Sequence, residues 1–199
     1  EGGKAEMRAN IDAWWPLVES GAVEAIVMNA SGCGVTVKEY AHILKDDPAY
    51  AERAGRISAL TRDLSELLPA MLPELADKLQ GRVQQPDTLY AYHPPCTLQH
   101  GQQLRGGVES HLNQLGFRLR TARNEAHLCC GSAGTYSVLN PALSYQLRDR
   151  KLGVLGEAFG AQPPDMILSA NIGCMTHLQS GTGIPVRHWV EVLDEALHG

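Results

Sequence analysis

The stretch DMILSANIGC, residues 165–174, decides the fold. It reads as an acidic residue, a short apolar run typical of a buried strand, a small polar turn, and then Gly-Cys. Residues 24–33, EAIVMNASGC, repeat that pattern. Helical patterns precede the two copies, over residues 5–20 and 141–159, and another helix is expected after each. This self-similarity predicts two related α/β units, the first of them lacking its front half.

Strand and helix patterns alternate through the second half of the chain. Strands are predicted at residues 88–93, 117–120, 166–170 and 185–187, and helices at residues 102–115 and 141–159 and at the C-terminus. Asn140 before Pro141 is a typical helix start. The alternation predicts an α/β fold of parallel, doubly wound sheets. We expect residues 1–80 to be the C-terminal part of a first repeat and residues 81–199 to be a complete second domain.

Composition narrows the classes of function. Hydrophobic residues make up 44% and charged residues 20% of the chain, which is typical of a globular protein. No apolar run approaches the roughly 18–20 residues of a membrane helix. The net charge of −5 argues against nucleic acid as a partner. Because the five cysteines are an odd number and no signal-peptide pattern opens the chain, we expect a reducing compartment.

Four cysteines follow predicted strands and precede predicted helices: Cys96, Cys129, Cys130 and Cys174. In an open parallel sheet such junctions gather at the carboxyl edge of the strands, where ligands bind. A thiolate near a helix N-terminus has a lowered pKa, and adjacent glycines let backbone N–H groups reach sulfur. The pattern therefore predicts a metal or cluster site built from these four residues, and no side chain is predicted to be an acid–base catalyst.

Other interpretations of the cysteines stay open at this point. A single cysteine such as Cys33 is most often a small buried hydrophobe. A zinc site is possible, although zinc usually takes two Cys-x-x-Cys pairs. Cys129 and Cys130 can also form a vicinal disulfide in an oxidised fragment. Three histidines near the cysteines can hydrogen-bond sulfur or have structural roles: His93, His100 and His127.

Three motifs resemble a known family. They are AYHPPCTLQH at residues 91–100, HLCCGSAGTY at residues 127–136 and NIGCMTH at residues 171–177. In this order they resemble the cysteine-rich CCG domain found in heterodisulfide reductases, in lactate-utilisation iron–sulfur proteins and in glycolate oxidase iron–sulfur subunits. They are most similar to the glycolate oxidase iron–sulfur subunits, as are residues 10–15 and 30–34.

The resemblance implies an iron–sulfur electron-transfer subunit of an FAD-linked glycolate (2-hydroxy acid) oxidase or dehydrogenase. Such a subunit passes electrons from the flavin subunit toward the respiratory chain. Cys96, Cys129, Cys130 and Cys174 would hold a cluster of the [4Fe–4S] type. The family motif ends Cys-x-x-Cys, whereas here His177 stands three residues after Cys174. His177 is therefore either a further cluster ligand or a capping or supporting histidine.

The resemblance also implies partners and a location. The partners are the FAD-binding and accessory subunits of the complex, and the location is cytoplasmic, with peripheral association at the inner membrane through the complex. The family's ferredoxin-like region has no counterpart here, so we expect a fragment in which Cys33 has lost its site and the cluster can be absent. A thiol–disulfide redox subunit like heterodisulfide reductase and a zinc-binding or structural interaction module are the alternatives.

Overall fold

The computed structural model describes residues 2–81 and 87–198. The chain divides into two compact units, Glu1–Glu66 and Leu67–Gly199. Within the described ranges, no helix combines the length and the apolar character needed to cross a bilayer. Each unit has its own sheet and its own helices.

The first unit has a two-stranded parallel sheet of β1 (Ile26–Met28) and β2 (Thr61–Asp63). Its helices are α1 (Gly2–Glu19), α2 (Ser31–Lys38), α3 (Tyr40–Ile43) and α4 (Ala51–Leu60). Ile11 of α1 and Ile57 of α4 are fully buried in one apolar cluster. Burial of these side chains holds the helices against the short sheet.

The second unit has a four-stranded parallel sheet. Its strands are β3 (Leu89–Tyr92), β4 (Arg118–Thr121), β5 (Met166–Ser169) and β6 (Val186–His188). Its helices are α5 (Leu68–Leu79), α6 (Gly107–Gln114), α7 (Tyr136–Leu139), α8 (Pro141–Glu157), α9 (Ile172–Gln179) and α10 (Trp189–His198). The strands β3 and β5 are almost wholly buried, as expected for central strands covered on both faces.

The strand order, β4-β3-β5-β6, makes the sheet doubly wound. The chain moves from β3 to β4 in one direction and from β4 to β5 in the other, so right-handed crossovers place the connecting helices on opposite faces. Accordingly α5 contacts α6 and α10, whereas α8 packs with α9. The α/β class with parallel sheets is confirmed. The direction reverses between β3 and β5, and the crevice beyond their carboxyl ends is where such sheets bind ligands.

One helix starts later than the sequence predicts. The expected helix over residues 102–115 begins at Gly107, after a π-helical turn at Thr97–Gly101. The delay has a backbone cause, because Gln103 and Gly106 have φ values of 60° and 75°, which a right-handed helix cannot accommodate. Asn140 does precede α8 as predicted, but its side chain makes no capping hydrogen bond.

The helix α5 lies within the expected first domain, residues 1–80, yet it packs with α6 and α10 of the second unit. That the first unit is half of a related repeat stays a prediction. One structural parallel supports it. Cys33 is the third residue of α2 after β1, and Cys174 is the third residue of α9 after β5.

Candidate metal centre

The four predicted cysteines meet at the carboxyl edge of the second sheet. Cys96 follows β3, Cys129 and Cys130 lie in the loop after β4, and Cys174 lies in the first turn of α9 after β5. Their thiols form one hydrogen-bonded row in the order Cys96, Cys129, Cys130, Cys174. All of them are free thiols. The structure thus brings sulfurs from three separate loops into contact.

This row of sulfurs favours alternating protonation. Hydrogen bonds from Cys130 and Cys96 lower the pKa of Cys129, and the hydrogen bond from Cys130 lowers the pKa of Cys174. The hydrogen bond to Cys129, together with burial, raises the pKa values of Cys96 and Cys130. Four neighbouring thiolates repel one another, so all four can ionise together only when a cation is present. A bound metal centre supplies that positive charge and displaces the protons.

Each sulfur in the row also accepts one N–H group. The donors are Thr97 N to Cys96, Gly131 N to Cys129 at 3.3 Å, Ser132 N to Cys130, and Asn171 Nδ2 to Cys174 at 3.7 Å. Hydrogen bonds of this kind favour the thiolate form over the thiol. They also orient metal-bound sulfur and tune the electronic properties of the metal.

The row is buried at one end and open at the other. Cys130 and Cys174 are 0% and 3% exposed and belong to the apolar core of the unit, whereas Cys96 and Cys129 are half-buried. A centre held here would be shielded from water on its inner side. Its outer side would lie close enough to the surface to exchange electrons with another molecule.

An imidazole lies beside the buried end of the row. His93 directly follows β3, and one ring nitrogen lies within 4.8 Å of the Cys130 and Cys174 sulfurs. From the sequence, His93 is only one of three histidines near the cysteines. Its position at the end of a predicted strand could have indicated that it lies at the site. His100 is exposed, with Nε2 3.2 Å from the carbonyl oxygen of His127. Neither of these two joins the group in the described part of the chain.

The structure places His177 outside this group. Its Nε2 lies 3.0 Å from Ser144 Oγ and 3.3 Å from Ser144 O, and its ring stacks on Tyr145 with centroids 5.9 Å apart. The Ser144 hydroxyl in turn donates to the carbonyl oxygen of Gly131 at 2.8 Å. His177 is therefore linked through Ser144 to the Cys-Cys-Gly loop, as a supporting residue would be, and a ligand role for it stays a prediction. No motif in the sequence indicates this role of Ser144.

A buried lysine and a glutamine hold the loops that carry the cysteines. Lys151 of α8 is 1% exposed, and its Nζ donates to the carbonyl oxygens of Glu125 at 2.9 Å and Ala126 at 3.3 Å. Burial lowers the pKa of this lysine, and the nearby thiolates oppose that shift. The Gln99 amide donates to Pro94 O at 2.8 Å and to Ala126 O at 3.3 Å. The loop after β3 and the loop after β4 are therefore tied together.

The residues present fit a thiolate-bound metal centre. Besides the four sulfurs, His93 is 1% exposed, and no oxygen or nitrogen atom pairs with either of its ring nitrogens in the described ranges. Leaving a buried polar group unpaired costs about 1–3 kcal/mol. A ligand lying between the imidazole and the sulfurs would remove that cost and the repulsion between thiolates. Fold and site together define an α/β domain with a cysteine-rich site, suited to a metal centre, at its switch point.

Comparisons with known proteins agree with this class. Residues 90–179 match the family described as CCG, cysteine-rich domain, a range that contains all four cysteines of the row. The chain is 51% identical over 197 residues to the glycolate oxidase iron-sulfur subunit of Escherichia coli (strain K12), covering 99% of this chain and 46% of that protein. It is 32% identical over 202 residues to lactate utilization protein A of Geobacillus kaustophilus (strain HTA426), covering 96% of this chain and 74% of that protein.

A third relative is the probable glycolate oxidase iron-sulfur subunit of Bacillus subtilis (strain 168), 29% identical over 179 residues, or 90% of this chain and 38% of that protein. The chain belongs to the cysteine-rich protein family of the glycolate oxidase iron–sulfur subunits and lactate utilization protein A. The resemblance of its three motifs is thereby confirmed. The chain spans less than half the length of the Escherichia coli and Bacillus subtilis proteins.

Proposed function

We propose that this chain is part of the iron–sulfur electron-transfer subunit of an FAD-linked glycolate, or other 2-hydroxy acid, oxidase or dehydrogenase. The observation that carries the proposal is the row of four neighbouring sulfurs, each with an N–H donor. Cysteine thiolates are the usual ligands of iron–sulfur clusters. The cluster in the proposal is of the [4Fe–4S] type, with Cys96, Cys129, Cys130 and Cys174 as its ligands.

The vicinal pair favours a cluster over a single zinc ion. Zinc sites usually take their cysteines as Cys-x-x-Cys pairs, whose spacing lets two sulfurs converge on one tetrahedral ion. Adjacent residues such as Cys129 and Cys130 cannot converge so readily. A centre with several metal atoms can give each sulfur its own atom, so it suits this arrangement better.

In this proposal each part of the site has a defined task. When bound, the cluster supplies one-electron transfer. The four sulfurs hold it, the N–H donors stabilise the negative charge on sulfur, and the ammonium group of Lys151 offsets part of that charge. The apolar surroundings of Cys130 and Cys174 exclude water from the inner side. Oxidation of the hydroxy acid belongs to a separate FAD-binding subunit.

The proposal extends to partners and location. The electron donor is the FAD-binding subunit, accessory subunits complete the complex, and the electrons pass toward the respiratory chain. The half-buried Cys96 and Cys129 support this, because they place the outer side of the cluster near the surface. We propose a cytoplasmic location with peripheral attachment to the inner membrane through the complex.

Within this proposal, lactate is a second candidate for the hydroxy acid. It is favoured by the likeness to lactate utilization protein A, which covers 74% of that protein. In this case the same electron-transfer site would serve lactate utilisation. Growth of the source organism on glycolate and on lactate, with and without the gene, separates the two, because only the relevant acid should fail to support growth of the deletion strain.

Anaerobic reconstitution with ferrous iron and sulfide tests the proposal. We expect a brown protein with broad visible absorption, stoichiometric iron and acid-labile sulfide, and reversible bleaching by a one-electron reductant. The iron and the colour should depend on the protein being reduced beforehand, since only free thiols can bind. Zinc at about one atom per chain without iron, in protein purified anaerobically, would instead support a structural zinc site. A colourless product with fully titratable thiols would refute the proposal.

A further inference from the structure

The imidazole of His93 is buried, and its polar neighbour is sulfur rather than oxygen or nitrogen. It is 1% exposed, and neither ring nitrogen pairs with an oxygen or nitrogen atom in the described part of the chain. The ring hydrogen-bonds to the Cys174 sulfur, which helps to lower the pKa of that thiol. Buried histidines normally bond to a backbone carbonyl, a carboxylate or water. An imidazole that faces sulfur instead is suited to a partner that the chain itself does not supply.

The position of His93 is rigidly determined. Its backbone N–H donates to Leu168 O at 2.8 Å, and its carbonyl oxygen accepts from the buried Ser169 hydroxyl at 2.9 Å. Both partners belong to β5, the strand across the switch point. The ring is therefore held beside the sulfurs by the sheet itself, and not by a flexible loop.

The distances suit binding of all three groups to one metal centre. One ring nitrogen of His93 and the sulfurs of Cys130 and Cys174 lie within 4.8 Å of one another. Metal–sulfur bonds of about 2.3 Å and metal–nitrogen bonds of about 2.0–2.1 Å span such separations after small side-chain shifts. All three groups are buried, so water does not compete for the metal at this end of the row.

His177, the other histidine near the site, already has hydrogen-bond partners at Nε2. His177 Nε2 faces the hydroxyl and the carbonyl oxygen of Ser144, at 3.0 Å and 3.3 Å. A ligand role for His177 would require it to leave these contacts and its stacking on Tyr145. His93 would give up no hydrogen bond of its ring to oxygen or nitrogen.

We propose that His93 is a nitrogen ligand of the metal centre, bound at the end held by Cys130 and Cys174. The inference rests on the proposed iron–sulfur function and adds a donor that is not a cysteine. The neutral imidazole adds a ligand to the centre without adding negative charge. The centre is then a mixed sulfur–nitrogen site of four thiolates and one imidazole.

Pulsed electron paramagnetic resonance on histidine-labelled protein tests this assignment. The reconstituted protein is prepared with ¹⁴N-histidine or ¹⁵N-histidine and brought to its paramagnetic state, and nitrogen hyperfine coupling is recorded. Histidine-specific labelling separates an imidazole ligand from the peptide N–H donors. We expect a strong coupling that changes with the isotope, is lost in His93→Asn, and persists in the matched variant His177→Asn.

Iron and sulfide are measured on every sample, so failure of the assignment and failure of the proposed function are distinguishable. Wild-type protein with full iron and sulfide but no isotope-dependent coupling would overturn the assignment and leave the iron–sulfur function standing. So would coupling that persists in His93→Asn. Wild-type protein that takes up no iron would overturn both. His93→Cys, which keeps a soft donor at the position, serves if His93→Asn does not fold, and should lose the coupling while keeping iron.

Discussion

Replacing Cys129 by serine should abolish cluster binding. Cys129 stands between Cys96 and Cys130 in the row, hydrogen-bonds to both, and accepts the N–H of Gly131 at 3.3 Å. A serine hydroxyl fits the space but stays protonated and binds iron poorly. Loss of a group that merely supports a ligand costs about 10–100-fold in metal affinity, so loss of the ligand itself should lower bound iron and visible absorption at least about tenfold after reconstitution.

Cys33→Ser is the matched control for this experiment. Cys33 is an exposed thiol in the other unit, also in the third position of a helix that follows a strand. The variant removes one thiol without touching the row, so its iron content should equal that of the wild type. Equal losses in the two variants, or wild-type iron in Cys129→Ser, would show that the row does not hold the metal.

Gly131→Ala should unfold the loop that carries the vicinal cysteines. Gly131 has a φ of +92°, and an added Cβ would overlap Ser144 O and lie 3.1 Å from Leu147 Cβ. The left-handed backbone costs an L residue about 1–2 kcal/mol, and forced overpacking about 1–3 kcal/mol more. We expect the free energy of unfolding of the second unit to fall by about 2–5 kcal/mol, measured by hydrogen exchange of the β3 and β5 amides.

Gly134→Ala separates the two causes. Gly134 lies in the same loop and also has a positive φ, +59°, but among the described residues no atom beyond its two chain neighbours lies within 4 Å of the added Cβ. Its loss of stability should be limited to the backbone cost of about 1–2 kcal/mol. If the free energy of unfolding falls equally in both variants, the close approach of Gly131 to α8 is not the reason that this position requires glycine.

The α/β architecture and the meeting of the four cysteine sulfurs could both be predicted from the sequence. Buried strands have continuous apolar runs, and parallel strands all end at one edge of the sheet, so residues that follow different strands must meet. The later start of α6 could not be predicted, because glutamine rarely adopts a positive φ and its residue type gives no sign of the one at Gln103. The packing of α5 against α6 and α10 likewise depends on contacts between residues far apart in the sequence, which a local pattern does not predict.

The roles of His93 and His177 could not be inferred from the sequence alone. The spacing of His177 from Cys174 favours one helix face for both, yet Ser144 of a neighbouring helix binds the His177 ring. That hydrogen bond joins residues 33 positions apart, which a motif does not reveal. For His93, the decisive fact is that neither nitrogen pairs with oxygen or nitrogen, and residue type alone cannot indicate this.

Anomalous diffraction at the iron absorption edge, from crystals of the anaerobically reconstituted protein, shows where the metal binds. We expect one compact iron feature within bonding distance of the sulfurs of Cys96, Cys129, Cys130 and Cys174. Iron bound elsewhere in the chain, or zinc in place of iron among these four sulfurs, would contradict the proposal.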